Sequence, residues 1–507
     1  AFPPIGRRPY FLSMGPHSFY WFSLQHPQTA TGQFSETVTK ERSLPTVVVE
    51  GSLTAVLAED VLKAVLPEYL SRCRWFGGKA RGIRSTHFIE LLPLSEGNEE
   101  AYITLLRVED LDGRSDTYQL PLSFAQGDRA ENLLRKSPSS VLCNLHIRQG
   151  DKVAVGVLYD PLADRAFGKD LLAAISERRR IRGEVGELQI TSTRALRQIL
   201  STKRISKEPA MSSAEQSNTS VVFGKSFLLK LLRKVEPGRH PDVELSRFLV
   251  DKQEFAHVPP VLGTLEYQSN GGEPMVLGIV QGFVENEGDA WRYTLDVLGS
   301  FLEQAAADEE KQPPEHDLSV STLLAMIDRP QPQEAQSVLG QYLESARLLG
   351  QRTAEMHLAL AAETEDPNFA PEPYTPFYQR SIYQSMRSLA SNAYKTLRSV
   401  VKKLPKSVQK DAAKVLAAEA EVQARLRQVI ENKLSTMRIR HHGDYHLGQV
   451  LYTGKDFYII DFEGEPDRPL SERLIKRSPL RDVAGMLRSF HYASRAVLFG
   501  KVSESAV

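Results

Sequence analysis

Two short segments near the end of the chain, HHGDYHLGQVLY at 441–452 and FYIIDFEGEPD at 457–467, constrain its fold more than any other feature. Asp444 precedes the amide of Gln449 by five positions, and Asp461 ends a short apolar run that predicts a buried strand. The residues between them predict a hairpin. Because a carboxylate at the end of a buried strand is exposed, Asp461 is a candidate metal ligand.

The spacing of these residues matches the kinase pattern H-R-D-x-x-x-x-N, in which the Asp acts on the substrate hydroxyl and the amide binds a metal ion. His442 stands where that pattern has its His. We therefore expect Asp444 to be catalytic, and Gln449, Asp461 and Glu463 to bind Mg²⁺. A turn or loop residue is the alternative for each Asp taken alone. That alternative does not explain the amide, the hairpin and the second Asp together.

Upstream of this cluster lie the other parts that phosphoryl transfer from ATP requires, in the order that a kinase needs them. Two apolar runs, SVVF and SFLLKLLR, flank Gly224 and Lys225 and predict a tight hairpin with Lys230 on its second strand. A buried ammonium is costly without an anionic partner, so we expect Lys230 to contact the phosphates of ATP. Glu244, in the first turn of a helix that begins at Pro241, is its expected partner. The alternatives are a lysine that faces solvent and a glutamate that interacts only with the helix dipole.

The other expected contacts of ATP fall into two groups. Small polar residues before the hairpin can bring backbone N–H groups close to phosphate, although an ordinary polar turn is the alternative, and a segment between the two lobes would meet adenine. These residues are Ser217, Asn218 and Ser220 for the phosphates, and Gln281, Phe283 and Val284 for adenine. Away from the ligands, His442 and Asp482 are expected to support the catalytic loop, with a plain helix N-cap as the alternative for Asp482.

The composition gives no support for several other classes of protein. The 507 residues contain 63 basic and 63 acidic side chains, so neither nucleic acid nor an anionic membrane is expected as a main partner. No apolar run is long enough to cross a bilayer. The two cysteines, Cys73 and Cys143, are too few for a disulfide framework, and a cytoplasmic location is therefore expected.

Several segments closely resemble bacterial maltokinases, which belong to the aminoglycoside-phosphotransferase-like branch of the eukaryotic-like kinase superfamily. The segments are RWFGGKAR at 74–81, EQSNTSVVF at 215–223, LGQRTAEMHLAL at 349–360, HHGDYHLGQVL at 441–451, DFEGEP at 461–466 and SPLRDVAGMLRSFHYA at 478–493. They occur in the family's order. Maltokinases also share the Gln at position 449 and the DFE sequence, which separate them from protein kinases.

The resemblance implies transfer of the γ-phosphate of ATP, with Mg²⁺, to the anomeric hydroxyl of maltose. The product would be maltose 1-phosphate, a precursor for α-glucan synthesis, and the enzyme would be a phosphotransferase with an alcohol group as acceptor. His446 and Tyr445 would face the sugar, with Tyr445 as an aromatic platform. A kinase for another small hydroxylated molecule, such as an aminoglycoside, is an alternative, and so is a pseudokinase.

Two features stay open at the level of sequence. RWFGGKAR does not have the spacing of a Walker loop. In maltokinases it lies in the cap region, and the sequence does not decide whether Lys79 and Arg81 face the active-site cleft. Glu463 has more than one possible role, because it could pair with a base such as Arg468 instead of binding a metal ion.

Patterning and resemblance together predict an α+β, bilobal, protein-kinase-like fold with an N-terminal α/β cap, a small β-rich intermediate lobe and a mainly helical C-lobe. GPHSFYWFSL near the start resembles the closing strands of trehalose synthases, which in many bacteria are fused to a maltokinase. The expected segments are the C-terminal β-hairpin of a fused trehalose synthase at 1–25, a linker at 26–44, the cap domain at 45–187, the kinase N-lobe at 188–285 and the kinase C-lobe at 286–507. The C-lobe is expected to be truncated, because the family continues with further helices.

Overall fold

The computed structural model describes residues 44–58, 60–95, 100–201, 209–211, 218–307, 333–362 and 364–499. The chain divides into two compact units, Ala1–Leu44 and Pro45–Val507, and every element described below belongs to the second. The hairpin expected at 1–25, nearly all of the linker expected at 26–44, and Ser217 lie outside the described residues.

The first part of this unit is a sheet built from strongly apolar runs. Its strands are β1 (Thr46–Glu50), β2 (Ile83–Ser95), β3 (Ala101–Asp110), β4 (Ser115–Gln126), β5 (Val141–Gln149) and β6 (Lys152–Tyr159). They pair in the order β1-β5-β6-β4-β3-β2, and β1 runs parallel to β5 while the other pairs are antiparallel. The runs AYITLLRV and KVAVGVLY form β3 and β6, as their composition predicts.

Short helices lie between and after these strands along the chain. They are α1 (Leu53–Ala58), α2 (Leu66–Arg72), α3 (Gly127–Lys136), α4 (Arg165–Glu177) and α5 (Arg194–Ser201). The first two bury leucines such as Leu57, Leu66 and Leu70 in a core that they share with the sheet. The helix predicted around residues 60–70 is a 3-10 turn at Asp60–Ala64 followed by α2, because Pro67 favours a new helix start at that point.

A second sheet follows and carries Lys230. Its strands are β7 (Arg180–Arg182), β8 (Gly186–Ser192), β9 (Ala210–Met211), β10 (Asn218–Phe223), β11 (Phe227–Leu232), β13 (Val261–Ser269) and β14 (Met275–Gly282), in the order β7-β8-β13-β14-β11-β10-β9. The predicted hairpin is β10–β11, whose turn contains Gly224 at a φ of 60°. Lys230 lies opposite Ser220 of β10 and Ile279 of β14, so it occupies an inner strand rather than an edge.

The two sheets are joined by a short stretch of chain. β11 ends at Leu232, and directly after Arg233 the chain enters β12 (Lys234–Val235), which pairs with β4 of the first sheet. The strand that carries Lys230 in one sheet is therefore continuous with a strand of the other sheet.

The remainder of the described chain is mainly helical. Its helices are α6 (Pro241–Arg247), α7 (Ala290–Ala307), α8 (Gln333–Leu360), α9 (Pro376–Val400), α10 (Lys406–Ala417), α11 (Glu419–Arg427), α12 (Leu470–Arg473) and α13 (Leu480–Leu498). Two short strand pairs lie among them, β15 (Glu372–Pro373) with β16 (Met437–Arg438), and β17 (Val450–Tyr452) with β18 (Phe457–Ile459). The second pair is the hairpin predicted between Gln449 and Asp461. Met356, Phe462 and Met486 belong to the core of this part.

One helix prediction is wrong. The Ala- and charge-rich sequence at 411–434 predicts a single long helix, but the backbone leaves helical geometry at Ala418 (φ −81°, ψ 1°) and α11 begins after it. The break allows α11 to pack against α9, and this tertiary contact overrides the helix propensity of the continuous segment. The predicted α+β class is confirmed. Among the helices that the structure describes, none combines the length and the apolarity that a membrane span requires.

Candidate active site

The segment that carries Asp444, called the catalytic loop here, lies between β16 and β17. A neutral histidine holds it in place. His442 is buried, and its Nε2 atom lies 2.9 Å from the carbonyl oxygen of Ile460. Because a carbonyl only accepts, Nε2 carries the hydrogen, and the unprotonated Nδ1 accepts from the backbone N–H of Asp444 at 3.4 Å. The ring of His442 packs against Phe462, with ring centroids 4.8 Å apart. His442 thus fixes the backbone on both sides of the site.

Asp482 of α13 supports the same loop with its carboxylate. It accepts hydrogen bonds from the backbone N–H groups of His442 and Gly443, each at 2.9 Å, and from Nε2 of His357, also at 2.9 Å. Burial opposes the charge of Asp482, but the hydrogen bond from His357 and the nearby His441 outweigh it and lower the pKa of Asp482 to about 2. The hydrogen bonds to the loop backbone are those expected from the sequence.

Asp444 is half-buried at the tip of this loop. Burial raises the pKa of Asp444 above its ordinary value, against the lowering effect of His446, and the charge of Asp461 adds to the rise. His446 uses Nδ1 to accept from the backbone N–H of Gly448 at 3.1 Å, so its hydrogen lies on Nε2 in the neutral ring. An aspartate with a raised pKa next to an imidazole is suited to accept a proton from a substrate hydroxyl.

Three carboxylates surround the ammonium of Lys230. Its Nζ lies 3.2 Å from Oδ2 of Asp242, 2.5 Å from Oδ1 of Asp461 and 2.6 Å from Oε1 of Glu463, and the side chain is 5 % exposed. One oxygen from each of the three carboxylates lies within 4.8 Å of the other two. Together the three acids carry more negative charge than the lysine carries positive charge, and a divalent cation with oxygen ligands would offset that excess. The residues present therefore fit a Mg²⁺ site.

The expected pairing of Lys230 with Glu244 is wrong. Asp242 takes that place, while Glu244 pairs with Arg239 at 3.1 Å and with the buried Arg440 at 3.2 Å. The reason is helix geometry, because two positions along a helix are separated by about 200° around its axis. Both acids stand in the first turn of α6, and the sequence alone does not say which one faces the strand.

Asp242 is the functional candidate that the sequence interpretation missed. Its carboxylate also accepts from the backbone N–H of Phe462 at 3.2 Å, so α6 is tied directly to the DFE segment. The available signal was its position, two residues before Glu244 in the same helical turn. Which of the two acids faces Lys230 depends on how α6 is rotated against β11, and the sequence does not give that rotation.

The two acids that follow β18 have different surroundings. Asp461 has a φ of 65°, and although burial opposes its charge, the ammonium of Lys230 and a hydrogen bond from Gln449 lower the pKa of Asp461. Burial, together with the charge of Asp461, raises the pKa of Glu463 to about 7 against the opposing effect of Lys230. Asn218 donates its amide N–H to Glu463 at 2.8 Å. The open pairing of Glu463 with Arg468 is not found, because Arg468 pairs with Glu465 and Glu472.

The expectation that Tyr445 forms a platform for the sugar is wrong. Its side chain is 2 % exposed and belongs to the helical core, where its hydroxyl lies 2.9 Å from that of Thr353. The backbone of Tyr445 also packs closely on α13, since a Cβ atom at Gly485 would lie 2.7 Å from its carbonyl oxygen. The tyrosine therefore anchors the catalytic loop to the helical core, and neither face of its ring is available to a ligand.

The remaining expected contacts of ATP lie around the same cleft. Ser220 is buried beside Lys230, and Asn218 begins the same strand. Gln281 lies near the end of β14, and the backbone N–H of Phe283, just beyond that strand, donates to the carbonyl of Ser226 at 3.2 Å, with Val284 next along the chain. Their roles toward ATP stay predictions.

A cavity of about 210 Å³ opens between the first sheet and this cluster. Its lining contains Arg74, Trp75 and Arg81 from the RWFGGKAR segment together with Asn218 and Glu463. The question left open by the sequence is settled for Arg81, which lines this cavity. The segment reaches the site because β12 holds the first sheet beside the lysine strand.

Comparison with known proteins agrees with this architecture. Residues 69–164 match the family of the maltokinase N-terminal cap domain. A glucosamine kinase of Streptacidiphilus jiangxiensis is 24% identical over 290 residues, covering 56% of this chain and 54% of that protein. A glucosamine kinase of Mycolicibacterium smegmatis (strain ATCC 700084 / mc(2)155) is 22% identical over 296 residues, covering 58% and 62%. The chain thus spans a little over half the length of these curated relatives.

A solved structure shows the same fold. Crystal form B of glucosamine kinase superposes with a TM-score of 0.51 at 18% sequence identity, covering 90% of this chain and 83% of that one. The kinase-like fold predicted from the sequence is confirmed by this likeness. The maltokinase resemblance is confirmed for the cap region, residues 69–164.

Proposed function

We propose that this chain is an ATP-dependent sugar kinase that transfers the γ-phosphate of ATP to the anomeric hydroxyl of maltose and yields maltose 1-phosphate for α-glucan synthesis. The observation that carries the proposal is the buried ammonium of Lys230 among the carboxylates of Asp242, Asp461 and Glu463, beside the braced loop of Asp444. Curated relatives that are sugar kinases support the reaction class. The cap match supports maltose as the acceptor.

In this proposal Asp444 accepts the proton of the sugar hydroxyl while the sugar oxygen attacks the γ-phosphorus and ADP leaves. The raised pKa of Asp444 makes it a better base than an exposed aspartate. Gln449, Asp461 and Glu463 would hold Mg²⁺, which offsets the charge of the phosphates when it is bound. Lys230, oriented by Asp242, would contact the α- and β-phosphates.

The nucleotide would lie between the second sheet and the helical part. Ser217, Asn218 and Ser220 are proposed to meet its phosphates, and the segment of Gln281, Phe283 and Val284 is proposed to meet adenine. Two pairings with β11, the strand of Lys230, support this placement. Ser220 lies opposite Lys230, and Gln281 lies opposite Leu228.

A second acceptor, glucosamine, is favoured by the names of the curated relatives, which are glucosamine kinases. Both candidates would use the same catalytic loop and the same carboxylates. They differ only in the part of the cleft that recognises the sugar. A pseudokinase is less well supported, because each charged residue that the reaction requires is present in the cluster.

The wider setting is also a proposal. A fused trehalose synthase, expected from residues 1–25, would supply maltose, but that segment lies outside the described residues. Cys73 and Cys143 are free thiols. This agrees with a reducing compartment, and we place the enzyme in the cytoplasm.

The test is product formation by the full chain with ATP and Mg²⁺. Maltose, glucosamine, trehalose, glucose and kanamycin are compared as acceptors, and phosphorus NMR identifies the product. We expect an anomeric phosphate with maltose that is absent in Asp444→Asn. If glucosamine were the one sugar phosphorylated, the proposed kinase activity would stand, and glucosamine would replace maltose as its acceptor. No turnover with any acceptor would contradict the proposal.

A further inference from the structure

The cavity beside the acid cluster has two walls from distant parts of the chain, and we call it the cap cleft. Its walls are formed by Arg74, Trp75 and Tyr118 on the side of the first sheet, and by Glu463, Asp467 and Arg473 on the side of the DFE segment. Tyr118 and Asp467 both line the cleft, and the charge of Asp467 contributes, after burial and Asp116, to a raised pKa of Tyr118. Nothing in the proposed phosphoryl transfer uses the first wall.

The first wall is held in place by Arg233, at the point where the two sheets join. Its guanidinium lies over the ring of Trp75, 4.7 Å from the ring centroid. Its Nη2 bonds to Asp160 at 2.7 Å and its Nε to the hydroxyl of Thr219 at 2.9 Å, and the side chain is 5 % exposed. Trp75 is therefore fixed before any ligand arrives, as a preformed binding surface requires.

Most of the cations that line the cap cleft are already neutralised. Arg81 forms ion pairs with Asp110 at 2.8 Å and with Asp116 at 3.1 Å, and Lys234 pairs with Asp116 at 2.9 Å. Arg473 bonds to Glu236 at 3.3 Å. These ion pairs use the positive charge that a phosphate group would need.

Two exposed charges remain, one on each wall. Among the described residues, Arg74 and Asp467 line the cleft without an ion pair or a hydrogen bond from their side chains. Their charges cancel across the cleft. The surface that remains combines an aromatic wall with one donor and one acceptor, which suits a neutral molecule with many hydroxyl groups better than an anion.

We propose that the cap cleft binds one neutral sugar ring of the acceptor, with Trp75 as the stacking surface and Arg74 and Asp467 as hydrogen-bonding partners of its hydroxyl groups. The volume of about 210 Å³ is below the roughly 300–1,000 Å³ of pockets that enclose drug-sized ligands, so one ring fits and a nucleotide does not. Glu463 belongs both to this cleft and to the acid cluster, so a ring bound here lies beside the carboxylates that surround Lys230. The inference rests on the proposed sugar kinase activity and assigns the acceptor-binding side of that site.

The first experiment uses tryptophan fluorescence, because the chain has three tryptophans, Trp21, Trp75 and Trp291. The full chain is titrated with maltose and, separately, with glucosamine, in the absence of ATP. We expect a saturable change in emission that survives in Trp291→Phe and is lost in Trp75→Phe. No change in the parent chain, or a change that persists in Trp75→Phe, would overturn the inference.

The second experiment separates sugar binding from nucleotide binding by kinetics. In Arg74→Ala and in Asp467→Asn we expect the KM for the sugar to rise about tenfold while the KM for ATP stays unchanged, because one hydrogen bond to a charged group is lost. Arg72→Ala is the matched control, since Arg72 is exposed at the end of α2, two positions before Arg74, but does not line the cleft. An equal rise of both KM values, or none, would overturn the inference.

The two proposals fail in distinguishable ways. If the chain is an active kinase but the KM for the sugar is the same in Arg74→Ala and Asp467→Asn as in the parent chain, the proposed function stands. The cap cleft is then not the acceptor site. A chain that phosphorylates no sugar loses the function. In that case the fluorescence titration still decides whether a sugar binds at Trp75.

Discussion

The catalytic loop and the cap cleft, which shares Glu463 with the acid cluster, are built in opposite ways. The loop is saturated with internal hydrogen bonds, since the buried carboxylate of Asp482 alone accepts three. The cap cleft has a rigid aromatic wall, yet Arg74 and Asp467 are exposed and form no ion pair or side-chain hydrogen bond within the part of the chain that the structure describes. The difference suggests that chemistry is assigned to groups held in one geometry, and that recognition of the acceptor is assigned to groups still free to bond.

The largest effect is expected from removing the base of the loop. Asp444→Asn should lower kcat by about 10²–10⁴-fold, the usual contribution of a general base, with little change in the KM for the sugar. Steady-state kinetics with maltose and ATP measure both values. A thermal unfolding curve like that of the parent chain serves as the control for folding. If Asp444→Asn raised the KM for the sugar and left kcat unchanged, Asp444 would bind the sugar instead of acting as the base. The contrast between the catalytic loop and the cap cleft would then not hold.

The next effect distinguishes the two acids of α6. Asp242→Asn should lower kcat/KM for ATP by roughly 10–100-fold, because Lys230 loses the carboxylate that positions it. Glu244→Gln should leave kcat/KM for ATP nearly unchanged and instead destabilise the protein, because the buried Arg440 loses its partner. Kinetics and urea unfolding of both variants test this pair. The reverse pattern would restore the Lys230–Glu244 pairing.

A smaller effect is expected at the support of the loop. Because the folded protein lowers the pKa of Asp482 to about 2, its carboxylate stabilises the fold fully above about pH 4 and loses this contribution as the pH falls towards 2. Asp482→Asn should cost about 2–3 kcal/mol of unfolding free energy at pH 6, and the difference from the parent chain should shrink on acidification. Urea unfolding between pH 6 and pH 2.5 provides the measurement. A constant difference would show that the charge of Asp482 is not what holds the loop.

The smallest effect tests which region recognises the sugar. Tyr445→Phe removes one buried hydroxyl that bonds to Thr353, so unfolding should become easier by about 1 kcal/mol. The KM for the sugar should not change, whereas Arg74→Ala raises it. A rise of the sugar KM in Tyr445→Phe would return sugar recognition to the catalytic loop and remove the contrast between the two regions.

The sequence by itself determined the local parts of this protein. Apolar periodicity and a glycine turn were sufficient for the β10–β11 hairpin and the place of Lys230 on it. The apolar runs and turn residues between Gln449 and Asp461 were sufficient for the β17–β18 hairpin. Such features follow from interactions among residues that are close along the chain, and the pattern of a short segment encodes them.

Only the tertiary structure decided which side chains meet. Asp242 and Glu244 are equivalent in sequence, and the rotation of α6 against β11 chose Asp242 for Lys230. The burial of Tyr445 depends on Thr353 of a distant helix. Asn218 and Glu463, which both line the cap cleft and are joined by a hydrogen bond, are 245 positions apart. The physical reason is that the direction of a side chain and the neighbour it reaches are set by the packing of whole elements, which no short segment contains.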